Sequence, residues 1–171
     1  MNPHRALLMI LLLALGAAGC QPADPLARVV KADTAIAFSL WRSRSTPQLD
    51  QQQWREFDEG LQELRFRLMG TKRGGSAETV DRELRTWIHG RSIRDVLRLA
   101  WTVRLDRLTS ERDLLEEIIG ANARLRARSG DAESAEYLDY RRSEQGVRWE
   151  KLVADIESTA RRLEELGGRV E

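Results

Sequence analysis

The stretch SIRDVLRLAWTVRLDRLTSERDLLEEIIGANARLRARSGD, residues 92–131, decides the fold. Its apolar residues Ile93, Val96, Leu97, Ala100, Val103, Leu108, Leu115, Ile118, Ile119 and Leu125 recur at helical rather than strand spacing. Ser92-Ile93-Arg94-Asp95 has the form of a capping box, with Asp where Glu is usual. The spacing predicts one long helix ending near Arg128. Ser110-Glu111-Arg112-Asp113 reads as a second cap, so a break or bend near 109 is the alternative. Ser129-Gly130-Asp131 is a turn. Asp131 then caps a last helix that runs to about Leu166, where Gly167-Gly168 stops it.

Two helices of about 36 residues, roughly 54 Å each, joined by a tight turn, predict a long antiparallel hairpin. Folding the chain at Gly130 sets Leu108 opposite Leu152 and Leu97 opposite Leu163. The root half is apolar on both helices. The tip half mixes Ile118, Ile119, Leu125, Tyr137, Leu138 and Tyr140 with Asp139, Arg141, Arg142, Glu144 and Gln145. Asn122 lies on the apolar stripe, where a buried amide tends to fix pairing register. Ile118, Ile119, Asn122, Tyr137 and Tyr140 are therefore the candidate partner surface.

Upstream, Asp24-Pro25 has the cap-then-proline form of a helix start. Leu26, Val29, Val30, Ile36, Ala37, Leu40 and Trp41 follow as its apolar residues. Thr46-Pro47 repeats the device before Trp54, Phe57, Leu61, Leu64 and Leu68, which alternate spacings of three and four. Gly70 to Ser76 is a basic, glycine-rich connection whose residue order does not fit a phosphate loop. Ser76 caps a shorter helix carrying Val80, Leu84, Trp87 and Ile88, which His89-Gly90 ends. Proline occurs only at positions 3, 22, 25 and 47, and no run alternates as a strand would. The expected fold is all-α: a single bundle of about five helices, the last two forming the hairpin. Trp41, Trp54, Trp87, Trp101 and Trp149 fall one per expected helix. Shared core is one reading; a ligand groove lined by Trp54, Trp87, Trp101 and Trp149 is the other.

The first residues read differently. Met1 to Arg5 is a short basic head, and Ala6 to Ala18 is an apolar run too short to span a bilayer. Small residues follow, so residues 1–19 are expected to be a secretory leader. Ala17-Ala18-Gly19-Cys20 resembles the lipobox of bacterial lipoproteins. That resemblance implies cleavage just before Cys20, with acyl chains on its thiol and on the new amino group. Gln21, in place of the Asp that retains such proteins at the inner membrane of enterobacteria, implies the outer membrane, facing the periplasm. On residues alone, a plain leader cut near Ala18 with Cys20 as a free thiol is the alternative. Residues 20–24 form the lipidated cysteine and a short linker, reaching about 15 Å at most. Residues 25–171 form the helical domain.

Composition narrows the function. Lys and Arg number 28 against 27 Asp and Glu, and Arg5 lies in the leader, so the domain is near neutral. That argues against a nucleic-acid partner. Cys20 is the sole cysteine and His89 the sole histidine beyond the leader, so neither a nucleophile–histidine pair nor a multi-histidine metal site is read. No cofactor is implied. The expected function is a non-catalytic interaction or scaffolding lipoprotein, held to the membrane by lipid, with an envelope protein or a second copy as partner. The alternative is a module binding a small molecule or lipid beside the tryptophans.

Overall fold

A computed structural model describes residues 24–71 and 76–168. The leader, Cys20 and its linker to Ala23, and residues 72–75 of the glycine-rich connection lie outside them. Five helices form: α1 (Ala35–Ser45), α2 (Gln51–Thr71), α3 (Ala77–Ile88), α4 (Ile93–Arg128) and α5 (Ala132–Glu165). The fold is an all-α bundle whose last two helices pack as a long antiparallel hairpin.

The caps start the helices where the sequence places them. Ser76, Ser92 and Asp131 accept from the amides of Thr79, Asp95 and Ser134, which satisfies donors that helix geometry leaves orphaned. Gly90 and Gly167 close α3 and α5 at φ of +77°, a left-handed conformation that glycine takes without a Cβ clash. The Gly168 amide donates to the Leu163 carbonyl at 2.8 Å, completing the last turn. α4 runs unbroken for 36 residues. Ser110 does not cap a second helix; its hydroxyl donates to the Asp106 carbonyl one turn back at 2.9 Å.

The beginning departs from expectation. Asp24-Pro25 opens a three-residue 3-10 turn, Pro25–Ala27, and not the first helix. The chain then runs extended, and Val29 bridges Ser92 in antiparallel fashion. The Val30 amide donates to Arg91 O at 2.8 Å, and the Ile93 and Gly90 amides donate to Arg28 O and Val30 O at 2.9 Å. The Ala32 amide donates to His89 Nδ1 at 3.0 Å. Backbone groups that a helix would have satisfied internally find partners in the α3–α4 turn instead. Val30 and Ala32 are buried by this arrangement, while Val29, Ile36 and Leu40 are left exposed.

Two cores result. The main one joins Val30, Trp41, Phe57, Leu64, Ile88, Ile93, Leu97 and Leu163, so α1 to α4 close over the root of α5. α2 and α4 approach tightly at Gly60, where an added Cβ would lie 3.1 Å from that of Ala100. A second, smaller core of Leu108, Leu115 and Leu152, with Ile119, Trp149 and Ile156 against it, holds the hairpin beyond the bundle. Leu97 shares the main core with Leu163, and Leu108 the smaller one with Leu152, in keeping with a fold at Gly130.

Candidate partner surface

Arg107 grips Glu63 of α2, and Ser110 still lines a cleft with Gly70 and Thr71 at the end of α2; past Ser110 the side-chain bonds of α4 to another helix run to α5. Among the described residues, 111–128 of α4, roughly 27 Å, therefore form a two-helix layer with α5. Such a layer buries one stripe per helix and leaves the others to solvent. Leu115, Ile119 and Asn122 make the inward stripe of α4. Asn122 Nδ2 donates to Gln145 Oε1 at 3.1 Å, and Gln145 is itself buried. A matched amide pair inside an apolar seam satisfies itself only in one register.

A second stripe on α4 is largely exposed among the described residues. Leu114, Ile118, Ala121 and Leu125 are spaced four, three and four apart, which keeps them on one face. Leu114 is 57% exposed, Ile118 40% and Leu125 56%. Leu114 immediately precedes inward Leu115, and Glu144 immediately precedes inward Gln145. Helices of one hand running in opposite directions turn the residue before each facing position to the same side. Tyr137, two turns before Glu144, joins Leu114, Ile118 and Leu125 there, and Tyr140 sits on its shoulder. Ion pairs agree: Glu111 and Arg148 close the base of this side. The Trp149 indole N–H donates to Glu116 Oε1 at 3.1 Å and Arg126 to Asp139 at 3.1 Å on the other.

Tyr137 and Tyr140 are 60% and 61% exposed. The Tyr140 hydroxyl donates to Glu144 Oε1 at 2.8 Å, and that hydrogen bond holds its proton above the ordinary range. An open cleft of about 730 Å³ at the tip is walled by Leu125, Arg128, Tyr137 and Leu138 around the turn. Of the five expected surface residues, Ile118, Tyr137 and Tyr140 face solvent, whereas Ile119 and Asn122 serve the hairpin seam. Leu114 was missed, although its spacing to Ile118 and Leu125 marks a stripe separate from the one through Leu115.

Four of the five indoles, Trp41, Trp54, Trp87 and Trp101, gather in or against the main core. Trp54 meets Trp41 and Phe57, ring centroids 6.4 and 5.8 Å apart, and Trp87 lies partly buried against the main core. Trp101 is buried with its N–H donated to Glu56 Oε1 at 3.0 Å. Trp149 belongs to the other core. Trp54, Trp87 and Trp101 thus belong with one core and Trp149 with the other.

Two carboxylates that sequence reading passed over anchor the hairpin root. Glu56 accepts from Trp101 and from Arg162 Nε and Nη2, at 2.6 and 2.7 Å, and this grip chiefly holds the Arg162 guanidinium above its ordinary range. Glu63, buried, takes a two-pronged bond from Arg107 at 3.1 and 2.7 Å. Their seven-residue spacing beside the Phe57–Leu64 stripe is the signal that was available. Among the described residues, no three of His, Cys, Asp and Glu gather as a metal site, and no helix is long and apolar enough to cross a membrane. No family model, curated protein or solved structure matches the chain.

Proposed function

We propose that this chain is a non-catalytic lipoprotein of the cell envelope, tethered through acylated Cys20 to the outer membrane and facing the periplasm. Its helical domain is an interaction module, and the hairpin tip captures a protein partner. One observation carries this reading: an unpartnered apolar stripe, Leu114, Ile118 and Leu125, flanked by Tyr137 and Tyr140 on a layer only two helices thick. Isolated exposed apolar residues are ordinary, but a contiguous stripe at helical spacing matches the anchors of helix-in-groove recognition.

The test is in-cell cross-linking of the intact protein, followed by identification of what it captures. Ile118→Asp and Tyr137→Ala are expected to weaken capture while circular dichroism shows the same helix content. Unchanged capture by both variants would refute the tip as the contact. Cys20→Ala is expected to leave the membrane fraction; if it stays there, the lipid anchor is wrong.

A further inference from the structure

The end of the molecule nearest Asp24 carries its own exposed apolar patch among the described residues. Ile36 is 75% exposed, Leu40 52% and Val29 50%. Ile36, Leu40 and Arg44 stand four apart on α1, so they share a face. The Trp41 indole N–H donates to Val29 O at 2.8 Å, which locks the extended segment against that helix. A cleft of about 660 Å³ joins the two, with Arg28, Lys31, Leu40 and Arg44 in its wall and Asp33 as its one acid. Apolar side chains ringed by cations are the composition of a surface that rests at a lipid headgroup layer.

The chain before the described residues says which surface is in reach. Four peptide units separate Cys20 from Asp24, at most about 14 Å. Asp24 is fastened to the body by a 2.6 Å pair with Arg94 at the start of α4. Arg28 and Val30 are hydrogen-bonded to the same turn. Resting on the lipidated Cys20 proposed above, we infer that Val29, Ile36 and Leu40 dock into the headgroup region of an anionic phospholipid bilayer, with Arg28, Lys31 and Arg44 on its phosphates. The tether alone would let the bundle tumble; this contact orients it.

The experiment uses the full lipidated chain bearing Ile36→Cys, whose thiol is free for an environment-sensitive fluorophore because that of Cys20 is a thioether. The protein is reconstituted into phosphatidylethanolamine vesicles with 30 mol% phosphatidylglycerol, and into phosphatidylcholine vesicles. On anionic vesicles the label is expected to emit to the blue and resist iodide quenching. A basic side chain near an anionic surface is worth about a fivefold shift, so Lys31→Glu with Arg44→Glu is expected to lower the docked-to-free ratio about 25-fold or more. Mass spectrometry reports the acyl chains in parallel. An acylated protein whose label is equally quenched on both vesicle types refutes docking and leaves the anchor standing. A protein without acyl chains refutes both.

Discussion

Replacing Glu56 tests the joint that fastens the hairpin to the bundle. Its carboxylate receives three hydrogen bonds from two helices: Trp101 Nε1 at 3.0 Å, Arg162 Nε at 2.6 Å and Arg162 Nη2 at 2.7 Å. The Glu56 side chain is 12% exposed and that of Arg162 36%. Glu56→Gln keeps the shape and one acceptor oxygen, but turns an NH2 toward a guanidinium donor. Loss of a charge-assisted bond costs about 1.5–3 kcal/mol, and solvent at Arg162 argues for the lower half. We expect about 2 kcal/mol. For a domain of this size, with a urea slope of about 2 kcal/mol/M, the unfolding midpoint falls by about 1 M. Arg162→Met completes a double-mutant cycle with Glu56→Gln, and a coupling of about 1.5 kcal/mol is expected. The Arg162–Glu165 pair, half exposed at 36% and 53%, supplies the comparison, since Glu165→Ala should cost about 0.5 kcal/mol or less. If Glu56→Gln is as mild as Glu165→Ala, or the cycle is additive, the carboxylate is not the joint described.

The two cores should fail separately. Leu64→Ala in the main core is expected to cost about 3 kcal/mol or more globally, whereas Leu115→Ala should mainly speed hydrogen exchange between about residues 112 and 148. Equal acceleration at the root would contradict this. Asn122→Ala strands buried Gln145 at a cost of about 1–2 kcal/mol, and Asn122→Leu with Gln145→Leu should recover most of it; urea titration decides, and a double variant no better than the single one counts against the seam pair. The Ser134 backbone amide donating to Asp131 holds that carboxyl below its ordinary 3.8. A depressed carboxyl contributes stability above pH 3.8 and loses it as pH falls through its lower folded value. The start of α5 should therefore fray below about pH 3.8, with the Ser134 amide exchanging faster, and Asp131→Ala should show that fraying at neutral pH.

The hairpin was legible because its order is local and periodic. One turn and two stripes place Leu97 in one core with Leu163 and Leu108 in the other with Leu152, and Asn122 announced the polar layer. Ser110-Glu111-Arg112-Asp113 left a break open as the alternative because a serine hydroxyl can cap a new helix or bond back within a continuing one. The flanking Leu108 and Leu115 favour the second by packing on α5. Asp24-Pro25 misled for the opposite reason. The cap is real, yet the backbone of residues 28–32 bonds to Arg91, Ile93 and His89, some 60 positions away, and no local pattern reports such partners. At the tip, apolar spacing showed that a surface existed. Only burial separated Ile118, which faces outward, from Ile119, which does not.

The stitch between residues 28–32 and the start of α4 has a mechanical consequence. On the proposed reading, the tethered end and the partner surface would be the two ends of one uninterrupted rod of 36 residues, about 54 Å long. A partner pulling sideways on the tip would then exert a torque on the root that grows with that length. Tension arriving from an acylated Cys20 would meet the Asp24–Arg94 pair and the hydrogen bonds of residues 28–32 before it reached the core.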